Sequence, residues 1–405
     1  MNSNITLPGL EGYILTKSFH SEGFFQIHVE LERKPHRCPC CNQWTDRVHD
    51  YRPQKIQHTK IFSRRTNLIY RKRRYACTDC GKRFYEDNSI VERYQRQSIE
   101  FKQAVRVELT TGKNFKDVAA RFDTSPTTVM RRFDDMSASM LSKTKQLPEI
   151  IAIDEYKGDA GGEKYQTVIA DPVERKPLEV LKDRKKETVK AYLRQHGHNV
   201  KVVVMDMSPS FKAAVDQALG KPVVVADRFH FCRYIYWALE RVRRKVQNEF
   251  DDYDRKKCKR MRHVFYKHYE KLTAKQLWYL HHYLAKSDEL KKAYQLKEAY
   301  RLWFETAKAL APHGLKETKD RLYQYYELVR ASGIKEFEKA IETFQNWQKE
   351  IMNSFGWDLH NGFVEGINNQ TKVIKRNAFG FKRFDRFRLK VLLHHQYKNV
   401  EVRVA

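Results

Sequence analysis

Three apolar segments, each followed at once by an aspartate, constrain the fold of this chain more than any other feature. The three predicted strands cover residues 150–153, 201–205 and 222–226, and they end on Asp154, Asp206 and Asp227. Two further strand-like segments, residues 165–170 and 177–181, follow the first strand, and helices are predicted over residues 188–195 and 210–219. Short apolar runs bounded by turn residues are typical of buried strands.

The order of these elements, three strands joined by turns and then helix, strand, helix, strand, predicts a ribonuclease-H-like mixed α/β sheet. Asp154 and Asp206 would end neighbouring strands, where carboxylates hold hard ions such as Mg²⁺. Two such ions about 4 Å apart activate a water or a 3′-hydroxyl and stabilise the leaving oxygen of a phosphoryl transfer. Asp227 also ends a predicted strand, and one interpretation of it is a cap of the helix that follows.

A third carboxylate is predicted on a helix near the end of the chain. Glu365, Asn368, Asn369 and Lys372 are spaced as i, i+3, i+4 and i+7, which places them on one helical face. We expect Glu365 to be the third ligand of the divalent ion and Asn369 to support it. The alternative is a solvated polar face. Residues 372–390 contain eight Lys or Arg and one acid, and we expect phosphate contacts from a set within them: Lys372, Lys375 and Arg376.

Two C-x-x-C pairs, separated by 35 residues, lie near the start of the chain. Such pairs present two sulfurs to one ion, and two pairs complete a tetrahedral zinc site. The expected ligands are Cys38, Cys41, Cys77 and Cys80, with Cys40 as an alternative to Cys41. An odd total of seven cysteines also favours a metal site over a disulfide framework.

The chain carries 78 Lys and Arg against 50 Asp and Glu, a net charge of +28. An excess of this size indicates an anionic partner, and no apolar run approaches the roughly 20 residues that cross a bilayer. We therefore expect a soluble cytoplasmic protein that associates with the nucleoid and binds double-stranded DNA. Residues 33–83 hold fifteen Lys or Arg and three acids, and the predicted phosphate contacts among them are Arg71, Arg73 and Arg74.

Three short helices, residues 101–111, 115–122 and 126–134, predict a helix-turn-helix. Ser125 would cap the third helix, and Pro126 suits its first turn. Thr127, Arg131 and Arg132 would face DNA from that helix. A plain helical hairpin is the alternative.

Composition divides the chain into regions. No Gly or Pro occurs between Pro222 and Pro312, which predicts long helices there. The predicted domains are a zinc ribbon (1–88), a helix-turn-helix (89–148), a catalytic domain (149–228 and 356–405) and a helical insertion (229–355).

Four blocks resemble the signatures of bacterial insertion-sequence transposases of the ISL3 family. They are residues 153–155, 205–209, 226–230 and 362–369. The resemblance implies a zinc finger, a helix-turn-helix and a ribonuclease-H-like DDE domain interrupted by a helical insertion. It implies Asp154, Asp206 and Glu365 as the catalytic set with Mg²⁺ or Mn²⁺, supported by Asp227 and His230, which resemble a D-x-x-H element.

The activity implied by the resemblance is cleavage at the terminal inverted repeats of an element and transfer of the freed 3′-hydroxyl to target DNA, by a homodimer or larger assembly on DNA. Two alternatives stay open: a non-catalytic DNA-binding regulator derived from a transposase, and a metal-dependent nuclease without strand transfer. The extra Cys40 departs from the family pattern.

Overall fold

The computed structural model describes residues 7, 9–111, 113–140, 146–357, 359 and 361–397. The chain divides into two compact units. One comprises residues 1–141, 376–379 and 397–405, and the other residues 142–375 and 380–396. The finer boundaries predicted within these units stay predictions.

The first unit contains seven strands and three helices among its described residues. In chain order they are β1 (Tyr13–Ser21), β2 (Phe24–Leu31), β3 (His36–Arg37), β4 (Trp44–Thr45), β5 (Val48–Ile61), β6 (Arg64–Ala76), β7 (Arg83–Tyr85), α1 (Ile99–Thr110), α2 (Phe115–Arg121) and α3 (Pro126–Met140).

A twisted sheet with the order β1-β2-β6-β5 forms the body of this unit, and β7 also pairs with β6. Strands β5 and β6 form a long hairpin whose two turn residues, Phe62 and Ser63, have positive φ angles of 50° and 61°. This is the geometry of a turn that matches the twist of the strands. Alternate residues of β6, among them Leu68 and Tyr70, are fully buried against β2 and β5.

Helices α1 to α3 confirm the predicted helix-turn-helix. Ser125 caps α3 by accepting a hydrogen bond from the backbone N–H of Thr128 at 3.1 Å. Val129 and Phe133 are fully buried between the helices. Helix α3 continues to Met140, six residues beyond the predicted end, because Met136 is also buried and no helix-breaking residue intervenes.

The second unit contains the remaining strands and α-helices. They are β8 (Ile150–Tyr156), β9 (Gln166–Asp171), β10 (Lys176–Leu181), α4 (Lys186–His196), β11 (Val202–Met205), α5 (Pro209–Leu219), β12 (Val223–Ala226), α6 (Arg228–Val246), α7 (Asp252–Arg260), α8 (His263–Tyr266), α9 (Ala274–Ala285), α10 (Asp288–Leu310), α11 (Leu315–Ser332), α12 (Lys335–Asn346), α13 (Gln348–Gly356), α14 (Gly362–Asn377) and α15 (Phe384–Tyr397). The last two residues of α14 and the last residue of α15 belong to the first unit.

The sheet of this unit has the order β10-β9-β8-β11-β12. Strands β8 to β10 form an antiparallel meander, whereas β11 runs parallel to both β8 and β12. Ile153 pairs with Met205, and Met205 pairs with Ala226. The residues that follow, Asp154, Asp206 and Asp227, therefore start from the same edge of three adjacent strands.

One detail differs from the sequence prediction. Strand β8 does not end at Asp154 but continues to Tyr156, because β9 still provides partners and Asp154 pairs with Val168. On its other side β11 stops at Met205, so Asp154 has no parallel neighbour there.

The glycine-free stretch forms long helices as predicted, including the 19 residues of α6 and the 23 of α10. An aromatic cluster of Phe231, Phe304, Phe344 and Phe355 joins α6 to α10, α12 and α13. None of the helices in the described ranges combines the length and the apolarity that a bilayer span requires.

Candidate catalytic and zinc sites

The two C-x-x-C segments form matching turns. The backbone N–H groups of Asn42 and Gly81 donate to the carbonyl oxygens of Cys38 and Cys77, at 2.9 and 3.2 Å. Asn42 and Gly81 both have positive φ angles, 66° and 69°, a conformation that asparagine and glycine tolerate best.

These turns bring four sulfurs together. Cys38 lies 3.5 Å from Cys80 and Cys41 lies 3.4 Å from Cys77, and all four ligand atoms lie within 4.8 Å of one another. Sulfurs around tetrahedral zinc, with Zn–S bonds near 2.3 Å, are separated by roughly 3.8 Å. The residues therefore fit a structural zinc ion, and the group includes Cys41 rather than Cys40, which is exposed.

Both carboxylate oxygens of Asp154 accept hydrogen bonds at the sheet edge. Its Oδ1 accepts a hydrogen bond from the backbone N–H of Glu155 at 2.8 Å. Its Oδ2 accepts one from the side-chain amide of Asn368 in α14, at 2.9 Å. Both contacts fix the carboxylate while leaving lone pairs on each oxygen for a cation.

Asp206 follows β11, and Ser208 caps the next helix two residues later. The Oδ1 atom of Asp206 is buried and has no hydrogen-bond partner among the described residues. A buried carboxylate oxygen without a donor is costly, and a bound cation would satisfy it.

Asp227 is buried and connects two elements. Its Oδ2 lies 2.8 Å from Nδ1 of His230, and its Oδ1 accepts a hydrogen bond at 3.1 Å from the backbone N–H of Asn361, just before α14. The side chain makes no capping bond to its own helix α6. Its contacts therefore favour the supporting role over the helix cap.

Charge repulsion among these groups appears in their pKa values. Burial raises the pKa of Asp154 to about 6, and the nearby Asp206 and Asp227 add to the effect. Burial also raises the pKa of Asp206. For His230, burial would lower the pKa, but the bond to Asp227 and the charge of Asp154 outweigh it, so the pKa is raised. A positive charge is therefore favoured at this edge of the sheet.

The α14 residues divide between two faces. Asn368 is buried, whereas Glu365, Asn369 and Lys372 are exposed. Glu365 lies one helical turn before Asn368, yet its carboxylate does not join Asp154 and Asp206 in a converging group: among the described residues only the four cysteines form one. Asn368 rather than the predicted Asn369 touches an aspartate.

The predicted phosphate contacts of β6 differ in their surroundings. Arg71 is 55% exposed and stacks on Tyr51 at 3.8 Å, besides an ion pair with Glu30. Arg73 is buried and bonds to Glu86, so its geometry argues against a role in phosphate binding. Arg74 makes two hydrogen bonds to Asp50, at 2.9 and 2.6 Å. Arg73 and Arg74 are therefore paired with acids of the same unit. The number of basic residues in a segment does not show which of them are paired in this way.

The other predicted DNA contacts also differ in their exposure and in their pairing with other side chains. Thr127 and Arg131 are exposed on α3, while Arg132 is half-buried and donates to Gln97 at 3.2 Å. Lys372 and Arg376 are exposed. Lys375 instead pairs with Asp159 at 2.7 Å.

Sequence reasoning missed Asn361 and Arg233 in this site. Arg233 lies on α6, one turn after His230. Its positive charge lowers the pKa of both Asp206 and His230, which favours the carboxylate of Asp206 and opposes protonation of His230. Its position three residues after His230 was a usable signal. The role of Asn361 is played by its backbone, which no side-chain pattern indicates.

Replacing Cys77 with serine should remove the bound zinc and unfold the ribbon, because an ion held by the four sulfurs joins its two turns. We expect about one zinc per chain in the parent protein and none in Cys77→Ser, by elemental analysis. Cys40→Ser is the matched control and should keep its zinc. Equal zinc in all three proteins would contradict the assignment.

Asp154→Asn should stabilise the metal-free protein above pH 6. The unfolded chain releases this proton near pH 4 and the folded chain near pH 6, so ionisation destabilises the folded state as pH rises between these values. The gain should reach up to about 3 kcal/mol at pH 8 and vanish below pH 4.

Denaturant unfolding at pH 3.5 and at pH 8 measures the free energy of unfolding of Asp154→Asn and of the parent protein. Asp320→Asn, at an exposed helical position, is the control. A gain of the same size at pH 3.5 and pH 8 would contradict the electrostatic cause.

Three models of known protein families match this chain. A family model for ISL3 DDE enzymes, described as a transposase, matches residues 151–391. A model described as the zinc-finger of transposase IS204/IS1001/IS1096/IS1165 matches residues 34–80, and one described as the helix-turn-helix domain of transposase family ISL3 matches residues 86–136.

Two curated relatives align with the chain. The transposase for insertion sequence element IS1001 of Bordetella parapertussis is 28% identical over 399 residues, 95% of this chain and 96% of the relative. A protein of Lactococcus lactis subsp. lactis named ATP-dependent protease is 33% identical over 84 residues, only 20% of this chain and 27% of that protein. Since the catalytic-domain model alone matches more than half of the residues, the chain belongs to the ISL3 family of transposases.

Proposed function

We propose that this transposase nicks DNA at the terminal inverted repeats of its element and transfers the freed 3′-hydroxyl to target DNA. The observation that carries the proposal is the pair of carboxylates, Asp154 and Asp206, at the shared edge of β8 and β11. Burial raises both of their pKa values, and the charge of Asp206 adds to the rise at Asp154. Such a pair stores unfavourable electrostatic energy that a divalent cation would relieve.

The strand order β10-β9-β8-β11-β12 supports a ribonuclease-H-like fold for this unit. Its antiparallel meander, followed by strands parallel to β8, is the order expected of that fold. Mg²⁺ or Mn²⁺, held by Asp154 and Asp206, would supply activation of the attacking oxygen and stabilisation of the leaving one.

We propose Glu365 as the third ligand because α14 is attached to the sheet on both sides of it. Asp227 binds the backbone at Asn361, and Asp154 binds Asn368, one helical turn after Glu365. Glu365 thus lies between two anchors, while its exposed side chain keeps rotamer freedom to turn toward an ion.

His230 and Asp227 would act as a positioning pair. The carboxylate of Asp227 orients the imidazole through Nδ1, and the charge of His230 favours ionisation of both Asp154 and Asp206. A protonated His230 near the metal-binding carboxylates would also attract a DNA phosphate.

Duplex DNA is the proposed partner of both units. In the first unit, the exposed contacts we retain are Arg71, Thr127 and Arg131, which would serve to find the element ends. In α14, the exposed Lys372 would contact a phosphate beside the catalytic carboxylates, and the exposed Arg376 is a further proposed phosphate contact. Assembly as a homodimer or larger complex on DNA belongs to the same proposal.

Asp206→Asn should eliminate Mg²⁺-dependent nicking of a duplex carrying the element end, because it removes the charge of a metal ligand. Asp227→Asn should lower the nicking rate by about 10- to 100-fold, since it acts through His230 and α14. Rate measurements on both variants test this order, and nicking that survives Asp206→Asn but not Asp227→Asn would reverse it.

Glu365→Gln should keep binding to the element end but abolish nicking, because an amide retains the size and helix propensity and loses the charge. Glu342→Gln, at an exposed position of α12, is the matched control and should nick at the parent rate. Full nicking by Glu365→Gln would exclude Glu365 as a ligand. Specific end binding without nicking by the parent protein would favour the non-catalytic regulator instead.

A further inference from the structure

We propose that the helical insertion carries its own binding surface for the phosphate backbone of duplex DNA, formed by α7 and the turn after it. Residues 255–275 contain nine Lys or Arg and a single acid, Glu270. We call the exposed cations Lys256, Lys259, Arg260 and Arg262 the α7 patch. The proposal takes DNA as the partner from the proposed function and does not depend on the catalytic residues.

The four cations of the α7 patch have no ion pair with any described residue, whereas the adjacent Arg255 pairs with Asp252 at 3.0 Å. Elsewhere in the insertion, ion pairs engage exposed cations in Lys245–Glu289, Lys308–Glu305, Arg321–Glu317 and Arg330–Glu327, with nitrogen–oxygen distances of 2.5 to 2.8 Å. Other helices of the insertion thus pair part of their cations with acids, whereas α7 and the turn after it hold, within seven residues, four cations that pair with no described acid.

The orientation of α7 is set by its buried residues. Asp254 pairs with Lys286 at 2.5 Å and with His282 at 3.3 Å, and Cys258, one turn later, is fully buried. These contacts hold one face of α7 against the insertion. Lys256, Lys259 and Arg260, at i, i+3 and i+4, consequently point outward together.

Clustering like charges in this way is unfavourable in the isolated protein. Lys256 and Arg260 are separated by four residues, and like charges at that spacing destabilise a helix by about 0.2–0.5 kcal/mol. The helix dipole favours cations in the last turn, but this accounts for Lys259 and Arg260 only. A polyanion bound to the patch would turn the repulsion into attraction.

The composition of the surface fits DNA. Tyr253 is 73% exposed and shares a helical face with Lys256 and Arg260, at i, i+3 and i+7. Long basic side chains beside an exposed aromatic ring are typical of nucleic-acid surfaces. The four cations lie within seven residues of chain, so they would contact adjacent phosphates without reading sequence. The patch therefore suits flanking or target DNA of arbitrary sequence.

The first test replaces all four patch residues with glutamine in the full chain. Binding to a random duplex without Mg²⁺ is measured over a range of salt concentrations. Each lost phosphate contact should reduce the slope of log affinity against log salt by about 0.9, so we expect a total reduction of about 2 to 4. The matched control replaces Lys245, Lys308, Arg321 and Arg330 with glutamine, which changes the net charge equally, and it should keep the parent slope.

Equal losses of slope in both variants, or no loss in either, would overturn the proposal.

A second measurement uses the parent protein without any substitution. Its lysines are acetylated with and without the duplex, and the modified positions are identified by mass spectrometry. Lys256 and Lys259 should be protected by DNA, and Lys308 should not. Protection by vesicles containing anionic lipid but not by duplex would assign the patch to a membrane and also overturn the proposal. Because neither readout involves nicking, these failures are distinct from failure of the catalytic proposal.

Discussion

Two hydrogen bonds attach helix α14 to the sheet from which it is distant in sequence. Asn368 donates to Asp154 across 214 residues, and the backbone of Asn361 donates to Asp227 across 134 residues. The acceptors are the side chains that crowd negative charge at the sheet edge, so the same carboxylates both form the candidate site and position the helix that would complete it. The long insertion between β12 and α14 is compatible with this arrangement because its helices pack into a core continuous with that of the sheet.

The same carboxylates that would bind a cation destabilise the folded protein when no cation is bound. Burial raises the pKa values of Asp154 and Asp206, the charge of Asp206 adds to the rise at Asp154, and one oxygen of Asp206 has no hydrogen-bond donor among the described residues. Sites that bind cations gain affinity from such destabilised carboxylates, because the ion removes both the repulsion and the desolvation cost. His230 supplies part of that positive charge within the protein itself.

The cysteine spacing and the number of basic residues differ in how well they predict structure. The cysteine spacing predicted the four-sulfur cluster directly, since two similar turns can present four sulfurs to one ion in few ways. The number of basic residues did not predict which of them are available: Arg73 and Arg74 in β6 pair with Glu86 and Asp50, while the four cations of the α7 patch have no ion pair with a described residue. A net charge reports what the whole chain attracts, but only neighbours in space decide which side chains are available.

Local signals by themselves determined much of this protein. The strand and helix order of the second unit, the glycine-free helices, the capped third helix of the helix-turn-helix and the four-cysteine cluster all depend on contacts within one element or between short, stereotyped turns. Tertiary structure alone decided that Asn368 and not Asn369 meets Asp154, that Asp227 binds the backbone before α14, and that Arg73 is buried. The first two outcomes depend on the rotation of a helix and on partners more than a hundred residues away, and a rotation of one residue, about 100°, exchanges the buried and exposed faces. The burial of Arg73 depends on the packing of its sheet and on Glu86, 13 residues later in the chain. Helical periodicity predicts which residues share a face, and packing decides which face meets the sheet.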